Sequence, residues 1–242
     1  MTTLRCAVLG TAALVFSQTA AAVSINEFQP NPVGADPAEV QVELLGNAFD
    51  SFTGVLLSIE SDGSSAAGTV DRVSQVSGTF DANGLLVVTV PDLENPSFTL
   101  VLLDTFSGDV GTVIDTDNDG IADDLSTFGT VFDAIGIPDA VSDEAFVYGE
   151  QLGGQDFAFT GDEPQLVFRD SATLEWFAIN DPAGTDAFDI NGNAVPFANF
   201  NADPSVTTFG AVNPAAAVPV PAAAWLMVSA LGFLGFGARR KV

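Results

Sequence analysis

Between Val23 and Val212 no stretch of apolar residues holds a 3.6-residue period for three turns, and this constrains the fold more than any other feature. What recurs instead are short runs rich in Val, Ile, Phe and Thr, cut by Gly, Asn, Asp and Pro. They are Val40 to Leu45, Gly54 to Glu60, Leu85 to Val90, Phe98 to Asp104, Thr130 to Ile137, Gln165 to Arg169 and Leu174 to Ile179. Branched and aromatic side chains pack well on a pleated, half-buried surface, so these runs read as strands. Many short strands at this spacing predict an all-β chain, an antiparallel β-sandwich with one short helical turn placed in Asp139 to Gln151.

Composition removes several kinds of chemistry. The 242 residues include no His and one Cys, which leaves no Ser-His-Asp or Cys-His catalysis and no imidazole zinc site. There are 32 acidic side chains against 6 basic ones. Phosphate-backbone affinity comes from Lys and Arg, so no nucleic-acid partner is expected. An apolar content of 47% is too high for a disordered acidic tail.

The two ends carry their own patterns. Residues 1–22 have Arg5, a short apolar run from Cys6 to Phe16, and small residues Ala20 and Ala22 before Val23. This is the order of a secretory signal peptide, too short to span a bilayer and removed by signal peptidase. The single thiol, Cys6, leaves with it, so the exported domain has no disulfide. At the other end an Ala/Pro-rich spacer and a Val-Pro-Val-Pro-Ala motif occupy 213–222. Residues 223–242 then hold an uncharged apolar stretch, Ala223 to Ala238, and the basic stop Arg239-Arg240-Lys241. Pro before the helix and cations after it are what a single C-terminal transmembrane helix with its end inside requires.

The order Val218-Pro219-Val220-Pro221-Ala222, Ala-Ala-Trp-Leu (Ala223 to Leu226), apolar Gly-rich stretch, Arg239-Arg240-Lys241 resembles the VPLPA variant of the PEP-CTERM sorting signals of Gram-negative bacteria. Val220 stands where that family more often has Leu. The resemblance implies transient anchoring in the inner membrane, processing by an exosortase (a cysteine transpeptidase), and delivery to the cell surface or the extracellular space.

The body, 23–212, carries a second resemblance. Ser24-Ile25-Asn26-Glu27-Phe28, then Asn31-Pro32 and Gly34, then Val42-Glu43-Leu44, is similar to the opening of a bacterial lamin-tail domain. Thr53 to Leu57, Asp81 to Val88, Phe132 to Gly136 and the closing Thr208-Phe209-Gly210-Ala211-Val212-Asn213-Pro214 follow in that family's order, with its Trp missing from the second piece. The resemblance implies an immunoglobulin-like, lamin-tail-like β-sandwich. Glu27 and Glu43 have two readings: a carboxylate pair for hydrolysis, or groups that hydrogen-bond loop backbone and hold strands in register. The second is favoured, because the fold motif already accounts for them.

One dense ligand array remains. Asp115, Asp117 and Asp119 occupy alternate positions, Gly120 follows for a sharp turn, the Ile121 carbonyl comes next, and Asp123 stands ninth. Carboxylates at this spacing wrap a chain around a hard cation that takes six to eight oxygens, so Ca2+ is the expected ligand, in a structural role. The segment resembles thrombospondin type 3 repeats and the first half of an EF-hand loop, but Ser126 stands at the twelfth position in place of a bidentate acid. The site therefore needs Asp124 or a carboxylate from elsewhere. A weaker cluster, Asp186, Asp189, Asn191 and Asn193 with Gly192, reads as a turn.

These features together predict a non-enzymatic, exported surface or matrix protein, with adhesion or exopolysaccharide association as its role. The alternative is a secreted, calcium-dependent, carboxylate-type hydrolase of polysaccharide. The lack of His and of any nucleophile motif, with Trp176 the only Trp in the body, weighs against it.

Overall fold

Alternation of branched apolar and polar residues gives twelve strands in a computed structural model that describes residues 23–34, 37–93 and 96–217. In chain order they are β1 (Ser24–Phe28), β2 (Glu39–Leu45), β3 (Ser51–Glu60), β4 (Val70–Thr79), β5 (Leu85–Pro91), β6 (Phe98–Leu103), β7 (Val131–Ile137), β8 (Gln155–Asp156), β9 (Leu166–Arg169), β10 (Trp176–Ile179), β11 (Asp186–Asp189) and β12 (Ala194–Pro196). Helical structure among the described residues is confined to two 3-10 turns, Val141–Ala145 and Phe197–Asn199, the first inside the segment where a short turn is expected. No described helix is long and apolar enough to cross a membrane. The segment read as a signal peptide, the motif Val218 to Ala222, the stretch expected to form a transmembrane helix and Arg239 to Lys241 lie outside the described residues.

The strands form two sheets. The larger runs β12-β11-β10-β9-β1-β2-β5, antiparallel throughout; the smaller runs β4-β3-β6-β7-β8, antiparallel except for the parallel β7–β8 pair. Their facing sides share one core, with Ile25, Val42, Leu44, Val167 and Trp176 from the larger sheet meeting Leu56, Leu100, Leu102 and Ile135 from the smaller. β6 is buried on both faces. Leu100 and Leu102 enter the shared core, while Val101 and Leu103 join a second cluster with Val55, Leu57 and Ile114 on the outer side. That is why Phe98 to Leu103 reads as continuous rather than alternating. The outer side of β9 and β10 is covered in turn by Phe200 and Ala216.

Two local features place the functional candidates. In β1 the register slips between Ile25 and Glu27, an inserted residue at Asn26. The bulge keeps both Ile25 and Phe28 in the core and turns Glu27 to the outer face, directly opposite Glu43 of β2. The other feature is the 104–130 connection between β6 and β7. Sequence spacing predicts an end loop, but this segment folds back along the outer face of the smaller sheet. Ile114 is wholly buried there, and its N–H donates to the Gly68 carbonyl at 2.8 Å beside the Thr69–Val113 bridge. Burial of Ile114, with Phe106 and Phe128 partly buried beside it, holds this otherwise polar connection against the sheet.

The folded body also runs further than composition suggests. Asn213 is buried, the Asn201 N–H donates to the Ala215 carbonyl, and Ala216 bridges Phe200. Residues 213–217, assigned to the spacer by their Ala/Pro content, thus lie on the larger sheet's outer side.

Candidate functional site

The Asp array curls around Asp115, which is 2% exposed. Its carboxylate accepts the Asp119 N–H at 3.1 Å, the Gly120 N–H at 2.8 Å and the Tyr148 hydroxyl at 2.8 Å. Asn118 and Gly120 take left-handed backbone with φ of 57° and 86°, and this turns the chain back on itself. Gly120 is required by packing too, because a Cβ there would run into the Ala145 carbonyl oxygen. Gln151 straps the loop, donating to the Gly120 carbonyl at 2.7 Å and accepting the Ala122 N–H at 2.9 Å.

This folding brings carboxylate oxygens of Asp115, Asp117 and Asp123 within 4.8 Å of one another. The other expected ligands behave differently. Asp119 accepts the Ile121 N–H at 3.0 Å, closing its own turn, and the Ile121 side chain is exposed. Asp124 accepts the Ser126 N–H at 2.9 Å, and the Ser126 hydrogen bonds hold its carboxyl below the usual range, so it does not complete the cluster. Asp123 accepts both the N–H and the hydroxyl of Thr116. Like charges crowd the array. The Asp119 charge first, then some desolvation and the charges of Asp123 and Asp115, push the exposed Asp117 carboxyl upward. An all-carboxylate set of hard oxygens suits calcium better than a softer transition metal, and Asp115, Asp117 and Asp123 are the residues that would hold it. Tyr148 and Gln151, which position the loop, carry no spacing signal in the sequence; both come from the connection after the Val141–Ala145 turn.

The second cluster is the clasp around Glu27 and Glu43, which are 1% and 0% exposed. Glu27 accepts the Thr208 N–H at 2.8 Å and lies 2.7 Å from the Thr208 hydroxyl. Glu43 accepts the Asn26 amide at 2.7 Å and the Gly210 N–H at 2.6 Å. Asn213 donates to the carbonyls of Asn26 and Arg169 at 3.2 and 2.9 Å. Residues 208–213 thus form a strap over the carboxylate pair, and both acids bind loop backbone across paired strands, the second of the two readings. Every carboxylate oxygen of the pair is engaged by the protein, which leaves none facing a substrate. Desolvation raises both acids; Glu27, beside the Glu43 charge and against the pull of the Thr208 hydrogen bonds, reaches about 7.

The remaining candidates are structural. Asp189 closes the β11–β12 turn by accepting the N–H groups of Asn191 and Asn193, with Gly192 at φ 76°. Trp176 is 1% exposed and lies under the Arg169 guanidinium at 4.0 Å, so it offers no face to a sugar ring. Comparison of the chain with protein-family models, with curated proteins and with solved structures gives no match.

Proposed function

We propose that the chain is a non-enzymatic exported protein of a Gram-negative cell surface or extracellular matrix, built on an immunoglobulin-like sandwich of the lamin-tail type. The observation that carries this reading is the tripartite C-terminal order: Val218-Pro219-Val220-Pro221-Ala222, then an uncharged apolar stretch, then Arg239-Arg240-Lys241. Its partners during export are signal peptidase, the inner membrane and an exosortase. Outside the cell its role is adhesion or association with exopolysaccharide.

Two structural facts support the non-enzymatic part. The buried acids opposed in β1 and β2 are consumed by the strap, and the one Trp of the body is inside the core. The Asp115, Asp117 and Asp123 carboxylates hold calcium in this reading. The ion supplies charge neutralisation that fixes the 104–130 excursion against the smaller sheet, a stiffening role and not a catalytic one.

Mass spectrometry of protein recovered from outside the cell tests the sorting assignment. The expected mature chain begins at Val23 and has lost the tail within Pro219 to Ala222. Recovered material that still ends at Val242 removes the exosortase from the account.

A further inference from the structure

The clasp over β1 and β2 poses a problem of hydrogen counting. The Thr208 hydroxyl oxygen lies 2.7 Å from Glu27 Oε2 and 2.7 Å from Asn213 Oδ1. A hydroxyl has one hydrogen to give, and a carboxylate oxygen and an amide oxygen are both acceptors. The Asn213 amide cannot be turned over to supply the missing hydrogen. Its nitrogen faces two carbonyls, those of Asn26 and Arg169, and an oxygen placed there would face both without a donor. The count closes when the second hydrogen sits on Glu27 Oε2. The chain of donors then runs one way, from Glu27 Oε2–H to Thr208 Oγ1, from Thr208 Oγ1–H to Asn213 Oδ1, and from Asn213 Nδ2–H to the two carbonyls. Glu27 Oε1 remains free to accept the Thr208 N–H.

We propose that Glu27 and Glu43 form a proton-dependent latch, in which neutral Glu27 locks residues 208–213 onto the larger sheet and its ionisation releases them. Glu43 takes the ionised role, because both of its oxygens accept N–H groups, from Asn26 and Gly210. Two ionised carboxylates side by side under a dry strap would repel each other.

The charged groups around the latch are few. Glu43 faces Glu27 from β2, and Asp81 of the turn before β5 acts on Glu43. From β9, Arg169 presents its carbonyl to Asn213, while its guanidinium is committed to Asp133 of β7. Asp170 accepts the N–H of Ala216 further along. The strap, residues 208–213, and the residues flanking it from 206 to 217 contain no ionisable side chain. Burial lifts Glu27 from 4.5 to about 7, and this fixes the sign. Between those values the folded chain holds a proton that the unfolded chain has lost. The latch's contribution is complete below about pH 4.5 and disappears as pH rises through about 7.

Hydrogen exchange at the Thr208 and Gly210 amides, compared between wild type and Glu27→Gln across pH, tests the latch. The introduced carboxamide keeps a donor toward Thr208 Oγ1 and an acceptor for the Thr208 N–H but cannot ionise. The ratio of the two proteins cancels the intrinsic pH dependence of exchange. Between about pH 4.5 and 7 the ratio is expected to change by about tenfold per unit, wild type opening more readily as pH rises, and above 7, where Glu27 is ionised in both the closed and the open state, it levels off. A ratio that stays constant with pH overturns the latch. Should Glu27→Gln not fold, the wild-type Glu27 carboxyl carbon shift decides instead: a midpoint near 7 supports the latch and one near the ordinary 4.5 overturns it.

Discussion

Arg169 serves four groups at once. Its Nε donates to the Ile25 carbonyl at 2.9 Å and its Nη1 to the Leu174 carbonyl at 2.9 Å. Its Nη2 reaches both Asp133 oxygens at 3.1 and 2.9 Å, and its plane covers Trp176. It sits opposite Trp176 in the β9–β10 ladder and so reaches across from the larger sheet to β7 of the smaller one. Burial pushes the Asp133 carboxyl up, and the Arg169 charge and hydrogen bonds pull it back. Arg169→Met leaves that carboxylate buried without its cation, and a loss of about 3–5 kcal/mol is expected from urea denaturation. Adding Asp133→Asn to that variant should restore part of the loss, since a neutral amide tolerates the site better than an orphaned charge. Lys in place of Arg169 keeps a cation for Asp133 but cannot span the same three acceptors, and is expected to fall between Met and Arg.

Strands and turns show what local pattern reveals. The turn from β4 to β5, Asp81-Ala82-Asn83-Gly84, is legible because its chemistry is local. Asp81 accepts the Asn83 and Leu85 N–H groups, and Gly84 takes φ 79°, where a Cβ would run into the Gly46 carbonyl oxygen. Gly84→Ala should therefore cost at least the roughly 1–2 kcal/mol of a left-handed L-residue, read as a lower Tm, with the Gly46 contact adding to it. β4 itself escapes sequence reading. Its ten residues carry only Val70, Val73 and Val76 as large apolar side chains, because it is an edge strand whose second half faces solvent on its outer side. β8, β11 and β12 are too short for any period to show. The Asp array is legible as a ligand pattern, since one turn of chain contains it. Which acids converge is not, because Asp119 and Asp124 are drawn off by the backbone N–H groups of Ile121 and Ser126. The latch is the opposite case: Glu27 and Thr208 are 181 residues apart, and no spacing rule links them.

For the whole molecule, charge is the dominant surface property. The body has Arg72 and Arg169 against all 32 acids, so self-repulsion opposes compaction. Two ionic effects on thermal stability follow and are separable. NaCl screens the general repulsion, with a screening length of about 10 Å at 0.1 M, and should raise Tm of wild type and of Asp117→Asn/Asp123→Asn alike. Calcium should stabilise wild type alone beyond the matched ionic strength, by about 2.7 kcal/mol when present at a hundred times its Kd, read as a further rise in Tm. Equal responses of the two proteins to calcium would remove the specific site and leave only bulk screening.

The position of β1 has a consequence in time. It lies in the interior of the larger sheet between β2 and β9, though it is the first strand of the body. A polypeptide emerging N-terminus first can complete β3, β4, β6 and β7 of the smaller sheet early. The free edge of β1 must wait for Leu166–Arg169, and its outer face for Thr208. Contacts of such sequence separation make closure slow. The larger sheet therefore stays open until almost the whole body is available, and the segment that supplies Thr208, near the end of the described chain, closes it.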